Sequence, residues 1–207
     1  MKKCTLLIII IQSILISSCE KNDVNYILDN FIQAGQKSGV GIKYVDLEPD
    51  INCTIIDPWE KTDTIINLDL NKDGIDDFTI KGTMCHPSML GGDCENLSIT
   101  PLLNNEICIN PITNWLDTIP YLDTINIESN WYNDEALIYS YYWVMGGNSS
   151  TEGHWKDVST SDKYFIGYKI KKDEKTFYGW IGMKRDTTTW SFSFLITEYA
   201  ILKEYEE

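Results

Sequence analysis

Alternation of apolar and polar positions is the dominant pattern of this chain. Apolar side chains recur at every second position in residues 64–70, 164–170 and 177–183. A period of two places successive side chains on opposite faces of an extended backbone, so each of these segments is predicted to be a β-strand. Polar turns separate the later segments, at residues 171–176 and 185–189. Short strands divided by such turns predict an all-β fold, an antiparallel β-sandwich.

Further segments complete the predicted sandwich. Residues 78–82 and 124–127 are predicted to form short strands, and residues 190–196 a longer one whose two serines face outward. Residues 136–145, with the sequence ALIYSYYWVM, are apolar on both faces, which is typical of a central strand.

The pattern changes ahead of the sandwich domain, which we place at residues 41–207. Four apolar residues between positions 27 and 32 share one face at helical spacing, so residues 24–36 predict a short helix. Residues 19–40 are therefore expected to form a tether, with or without this helix.

The first residues of the chain have the features of a secretory signal peptide. Lys2 and Lys3 precede an almost wholly apolar stretch, residues 6–16, and two small serines then lead into Cys19. The apolar stretch is shorter than the roughly 18–20 residues that a membrane-spanning helix needs. A signal peptide therefore accounts for this segment better than a membrane anchor does.

Cys19, directly after the small residues, makes the segment resemble a bacterial lipoprotein signal. In that family the cysteine is acylated and becomes the first residue of the mature chain. The resemblance implies a signal peptide at residues 1–18, lipidation of Cys19 and a lipidated tether. It also implies anchoring to the bacterial outer membrane, on the periplasmic side or at the surface. An ordinary secretory signal followed by a chance cysteine is the alternative.

The charge of the chain limits its partners. The formal net charge is −14, and it becomes −16 once residues 1–18 and their two lysines are removed. A strongly acidic chain repels phosphate backbones, so nucleic acid is not expected as a partner. The expected partners are the membrane, through the lipid anchor, and a glycan or an envelope protein.

Four cysteines remain after the signal peptide and Cys19 are set aside. In an oxidising compartment they suggest two disulfides, with three possible pairings. We favour Cys85–Cys94, which flank a turn-rich loop, and Cys53–Cys108. A zinc site at Cys85, His86 and Cys94 is the weaker alternative, since zinc sites usually take four ligands at tighter spacings.

Residues 69–77, with the sequence DLNKDGIDD, have the spacing of a calcium loop. Calcium takes six to eight oxygen ligands, and a glycine at position six permits the sharp turn that gathers them. The predicted ligands are the side chains of Asp69, Asn71, Asp73 and Asp77 and the backbone carbonyl of Ile75. Position twelve is Ile80 rather than glutamate, so the loop is not an EF-hand.

The loop instead resembles the calcium loops of thrombospondin type 3 and FG-GAP repeats, over about a dozen residues. That resemblance implies a bound Ca²⁺ with a structural role. An acidic β-turn without a metal is the alternative, because Asn, Asp and Gly are common turn residues.

Aromatic residues are concentrated in the second half of the chain. An exposed ring can stack on a sugar, and the candidates for such contacts are Trp131, Trp143, Trp155 and Trp180. Packing in the sandwich core is the alternative role. The C-terminal segments, with Tyr178-Gly179-Trp180 and Tyr199-Ala200, resemble the ends of uncharacterised exported bacterial β-sandwich proteins, which implies a fold and no activity.

Support for catalysis is thin in this sequence. It contains no G-x-S-x-G, no dinucleotide fingerprint and only two histidines. We therefore predict an envelope-anchored lipoprotein that acts as a calcium-stabilised binding or structural module. The alternatives are a carbohydrate-binding lipoprotein of a glycan uptake system and, less favoured, a carbohydrate-active enzyme that uses paired carboxylates.

Overall fold

The computed structural model describes residues 31–53, 63–85, 92–144, 148–159, 161–186 and 193–203. The predicted signal peptide, Cys19, and residues 20–30 of the predicted tether lie outside the described residues.

Within the described residues the elements are almost entirely strands. They run β1 (Phe31–Gln33), β2 (Ile42–Asn52), β3 (Thr64–Leu68), β4 (Phe78–Cys85), β5 (Gly92–Pro101), β6 (Glu106–Cys108), β7 (Thr124–Asn126), β8 (Trp131–Tyr132), β9 (Ala136–Val144), β10 (Asn148–Glu152), a 3-10 helix (His154–Asp157), β11 (Tyr164–Lys172), β12 (Lys175–Asp186) and β13 (Ser193–Leu202).

The strands form three antiparallel sheets. One has five strands in the order β10-β9-β5-β4-β3, and one has six in the order β2-β13-β12-β11-β6-β8. The third is the pair β1-β7. The predicted all-β, sandwich-like fold is therefore confirmed. The predicted interior position in a sheet is also confirmed for residues 136–144, since β9 pairs with β10 on one side and β5 on the other. Met145 lies outside the described residues.

The larger core lies between the five-stranded and six-stranded sheets. Phe78 and Ile80 of β4 belong to the same buried cluster as Tyr168 of β11 and Ile181 of β12. The rings of Phe78 and Tyr168 meet edge to face, with centroids 5.6 Å apart. Period-two alternation in the sequence thus places one face of each sheet in a shared apolar interior.

A second core lies on the other face of the six-stranded sheet. Ile32 of β1 and Ile125 of β7 pack in one cluster with Phe165 of β11 and Trp180 of β12. The six-stranded sheet is therefore covered on both faces. This explains why β11 is buried without interruption at residues 165–170, as expected for a strand between two apolar layers.

Two local predictions are wrong. The segment Phe31–Gln33 is a strand rather than the end of a helix, because Ile32 pairs with Ile125 and is buried in the second core. Ser193 does not face outward. It is buried, and its hydroxyl donates a hydrogen bond to Asn52 Oδ1 at 3.1 Å. The other serine predicted to face outward, Ser191, lies outside the described residues.

The predicted disulfide Cys53–Cys108 is also wrong. Both are buried free thiols, and they lie in different cores. Cys53 faces the core between the sheets, whereas Cys108 faces the second core. The six-stranded sheet separates them, so the two sulfur atoms cannot meet.

Cys85 and Cys94 are directly opposite each other in the antiparallel ladder of β4 and β5. Opposed residues in such a ladder have Cα atoms about 4.5–5.5 Å apart. This separation lies within the range of about 4.4–6.8 Å that a disulfide needs. The register is therefore compatible with the Cys85–Cys94 pairing, which stays a prediction.

Candidate functional site at the loop of residues 69–77

The predicted calcium loop connects β3 to β4 at one end of the main core. Leu70 is buried beneath it and Ile75 is exposed at its tip. Gly74 has φ of 87°, in the left-handed region that favours glycine, and Lys72 has φ of 62°. The loop therefore makes the sharp turn that its sequence predicts.

Asp77 turns into the protein and is only 2% exposed. Its Oδ2 accepts hydrogen bonds from the backbone N–H groups of Leu70, at 2.8 Å, and Asn71, at 3.2 Å. Its Oδ1 accepts from the side-chain amides of Asn71 and Asn105, each at 3.2 Å. This carboxylate therefore holds both ends of the loop together.

The environment of Asp77 disfavours its negative charge. Burial raises the pKa of this carboxyl group, and the nearby charges of Asp69 and Asp73 raise it further. Hydrogen bonds from the backbone of Leu70 and Asn71 oppose the increase but do not cancel it. A positive charge near Asp77 would therefore stabilise its ionised form.

Asp69 and Asp73 shape the exposed part of the loop. Asp69 accepts hydrogen bonds from three successive backbone N–H groups, those of residues 72, 73 and 74, at 2.7, 3.2 and 2.9 Å. Asp73 accepts from the backbone N–H of Ile75 at 3.0 Å and from Lys172 Nζ at 2.7 Å. Lys172 and the Ile75 N–H lower the pKa of Asp73. The ion pair connects the loop to the β11–β12 hairpin.

Asn105 is the residue of this site that the sequence analysis missed. It is 1% exposed, and its side-chain amide donates to both the carbonyl and the carboxylate of Asp77, each at 3.2 Å. Its Oδ1 accepts a hydrogen bond from the backbone N–H of Lys171 at 3.1 Å. Asn105 therefore connects the loop of the five-stranded sheet to β11 of the six-stranded sheet.

The loop carries oxygen donors of the kind that calcium prefers. One of them, Asn71 Oδ1, is buried and has no hydrogen-bond partner among the described residues. The carboxylates of Asp69, Asp73 and Asp77, in contrast, accept hydrogen bonds from backbone amides, from side-chain amides and from Lys172. Across the part of the chain that the structure describes, no group of three or more His, Cys, Asp or Glu side chains is arranged to hold a metal ion. The residues fit calcium by donor type, but their carboxylates are not gathered around one centre.

A cleft of about 620 Å³ lies between this loop and the β11–β12 hairpin. The hairpin turns at Asp173 and Glu174, whose φ angles of 49° and 65° are those of a two-residue type I′ turn. The cleft is lined by Lys72, Lys172, Lys175 and Lys203, by Asn71, Asp73 and Asp173, and by the apolar residues Phe177 and Ile201. Lysines thus predominate in this cleft of an acidic protein.

The four predicted sugar-binding tryptophans are not brought together. Trp155 and Trp180 are fully buried, one in each core, so their predicted role as stacking surfaces is wrong. Trp131 is half-buried, and its indole N–H donates to the carbonyl of Asn126 at 3.0 Å. Trp143 is 36% exposed. Core packing therefore accounts for two of the four rings.

A second polar cluster, also missed from the sequence, surrounds Glu198 on the outer face of the six-stranded sheet. This buried carboxylate accepts from Lys37 Nζ at 2.7 Å, from Lys163 Nζ at 2.8 Å and from the Tyr44 hydroxyl at 2.7 Å. Burial opposes the ionisation of Glu198, but these hydrogen bonds outweigh it and lower its pKa. These three partners lie 161, 35 and 154 residues from Glu198 in the sequence, respectively.

No helix among the described residues has the length and apolar character needed to cross a membrane. Comparisons of the chain with protein-family models, with curated proteins and with solved structures find no match.

Proposed function

We propose that the protein is an envelope-anchored lipoprotein that acts as a calcium-stabilised binding or structural module. The observation that carries the proposal is the position of the loop of residues 69–77. Through Asp77 and Asn105 the loop is hydrogen-bonded to β11, so its conformation is coupled to the contact between the two large sheets. An ion bound in the loop would therefore stabilise the sandwich as a whole.

The proposed ligands of the ion are Asp69, Asn71, Asp73 and Asp77 and the carbonyl of Ile75. To hold it, the carboxylates must turn from their present hydrogen-bond partners toward one centre. The chemistry of the ion is charge neutralisation, since a divalent cation offsets the repulsion among the three ligand carboxylates, which lie in one short loop. Two observations support this assignment: the raised pKa of Asp77, and Asn71 Oδ1, which lacks a hydrogen-bond partner in the part of the chain that the structure describes. Because Lys172 already neutralises Asp73, the ion competes with the Lys172 ammonium group for that carboxylate.

The anchor is the acylated Cys19, supported by the charged, apolar and small-residue sequence that precedes it. The facing positions of Cys85 and Cys94 support an oxidising compartment, where a cross-strand disulfide would persist. The buried positions of Trp155 and Trp180 leave the carbohydrate-binding alternative with fewer candidate surfaces, so we do not adopt it.

Calcium binding is tested on the soluble chain of residues 20–207. Thermal unfolding is followed with calcium and with EGTA, and calcium binding is measured by titration calorimetry. We expect calcium to raise the melting temperature of the native chain and to have little effect on Asp73→Asn. The matched control is Asp162→Asn, an exposed aspartate elsewhere, which should keep the full calcium response. Equal melting curves with calcium and with EGTA would refute the calcium assignment.

The anchor is tested separately on the full chain, expressed in a Gram-negative host. We expect the native chain to fractionate with membranes and to carry acyl groups at Cys19 by mass spectrometry of the N-terminal peptide. A Cys19→Ser variant should lose both properties. Recovery of the native chain in the soluble fraction with an unmodified Cys19 would refute the lipoprotein assignment.

A further inference from the structure

The cleft beside the loop is positively charged, although the protein as a whole is strongly negative. Four lysines and two aspartates line it, so it carries a formal balance of +2 in a chain whose net charge is −14. Asp73 is already paired with Lys172 at 2.7 Å, which leaves Asp173 as the other acidic group of the lining. Positive charge concentrated in a concave site attracts anions.

Two of the lysines are held at the cleft by contacts other than carboxylates. Lys72 Nζ lies over the ring of Tyr199, 5.7 Å from its centroid, which is a cation–π geometry. The backbone N–H of Lys203 donates to the carbonyl of Gly41 at 2.8 Å, which fixes the start of that side chain. Neither ammonium group makes an ion pair with any carboxylate in the described ranges. Both are therefore available to an anionic ligand.

The cleft also offers an apolar surface. Phe177 is half-buried and supplies the accessible apolar surface of the lining, whereas Ile201 lies fully buried behind it. Its volume of about 620 Å³ exceeds that of an inorganic ion and falls in the range of about 300–1,000 Å³ found for small-molecule sites. The lining therefore suits a molecule that joins an anionic group to an apolar group.

We propose that this cleft binds a phosphate monoester of a small organic molecule. Lys72, Lys172 and Lys203 would contact the phosphate, and Phe177 the organic part. A phosphate monoester carries a charge of about −1.5 to −2 and three terminal oxygens, which match several ammonium groups. Long polyanions such as nucleic acids are disfavoured, because the acidic surface beyond the cleft repels them.

The probe is phenyl phosphate, titrated into the chain of residues 20–207 by calorimetry and by amide chemical-shift mapping. EGTA is present throughout, so that the result is independent of the calcium assignment. We expect saturable binding, with the shifted amides in residues 71–73 and 172–175. Inorganic phosphate, which lacks the aromatic group, and benzyl alcohol, which lacks the phosphate, should each bind several-fold more weakly. Phenyl sulfate, with a lower charge, should also bind more weakly.

The double variant Lys72→Asn and Lys203→Gln should weaken phenyl phosphate binding about tenfold, a change of about 1.4 kcal/mol. Asparagine is chosen at position 72 because it tolerates the left-handed backbone there. The matched control, Lys43→Gln with Lys156→Gln, removes two exposed lysines outside the cleft and the same total charge. It should change the affinity less than twofold.

Equal weakening in the two double variants would overturn the proposal, because binding would then follow net charge alone. Non-saturable binding, or inorganic phosphate that binds as tightly as phenyl phosphate, would also overturn it.

Discussion

Asn105 and Asp77 form a buried hydrogen-bonded pair in which the amide of Asn105 donates to both the carbonyl and the carboxylate of Asp77, each at 3.2 Å. Asn105 also accepts a hydrogen bond from the backbone of Lys171 in the other large sheet. A single side chain thus satisfies buried groups from two sheets. An unsatisfied buried polar group destabilises the folded state by about 1–3 kcal/mol. We therefore expect this pair to stabilise the fold.

The first prediction concerns Asn105→Ala. The substitution leaves the Asp77 carbonyl without this donor and the N–H of Lys171 without its acceptor. We therefore expect the free energy of unfolding to fall by about 2–4 kcal/mol. Urea unfolding of the native chain and the variant measures the change. Asn104→Ala is the matched control, because Asn104 is the exposed neighbour in the same turn, and it should cost less than about 0.5 kcal/mol. Equal costs in the two variants would contradict the role assigned to Asn105.

The second prediction concerns pH and Glu198. Its pKa is lowered below the ordinary value of 4.5, so the folded state holds the ionised form more strongly than the unfolded state does. The stabilisation from this group is therefore fully present above about pH 4.5 and is lost as the pH falls through the lowered pKa. We expect Glu198→Gln to lower the free energy of unfolding by about 1–3 kcal/mol at pH 7. Below pH 4.5 the difference in unfolding free energy between the variant and the native chain should become smaller.

Urea unfolding from pH 7 to pH 3 measures that difference. Glu128→Gln, at an exposed position, serves as the control and should show a small difference at every pH. A cost of Glu198→Gln that stays constant across the range would show that Glu198 contributes through packing rather than through its charge.

Local sequence patterns predict the strands of this fold better than they predict its polar sites. Residues 164–170 show period-two alternation because one set of alternate side chains faces the core between the sheets, and that periodicity is visible in the sequence. The error at Phe31–Gln33 has a physical cause as well. A three-residue strand has too few positions to show its period, and its partner β7 lies about ninety residues away.

The polar sites depend on contacts that no local pattern records. The acidic loop was identifiable because its donors lie within nine residues, and its turn at Gly74 follows from the glycine itself. Asn105, in contrast, has no local pattern that distinguishes it from an ordinary asparagine in a turn. Lys37 is separated from Glu198 by 161 residues, and only the pairing of β13 with β2 and the packing on that face bring them together.

The third prediction concerns Gly179. It pairs across the ladder with Tyr168, and a Cβ atom at position 179 would lie 2.2 Å from the Tyr168 ring and 2.5 Å from the carbonyl of Ala200. The Tyr168 hydroxyl donates to that same carbonyl at 3.0 Å. Gly179→Ala must therefore displace a fully buried ring, and we expect a cost of about 2–4 kcal/mol in urea unfolding.

Gly74→Ala provides a comparison of a different kind, since no heavy atom lies within 4 Å of a Cβ at that position. Its cost should come from the left-handed backbone alone, at about 1–2 kcal/mol. A smaller effect of Gly179→Ala than of Gly74→Ala would contradict the close packing of Tyr168 against β12.

The last prediction concerns the four cysteines of the soluble chain. Cys53 and Cys108 are buried free thiols, and burial raises the pKa of each to about 12. Both should therefore resist alkylation by iodoacetamide at pH 8, since the thiolate is the reactive form and the buried sulfur is inaccessible. In denaturant without reductant, mass spectrometry should find Cys53 and Cys108 alkylated and Cys85 and Cys94 still joined. Four labelled cysteines would refute the cross-strand disulfide, and a disulfide between Cys53 and Cys108 would refute their separation by the six-stranded sheet.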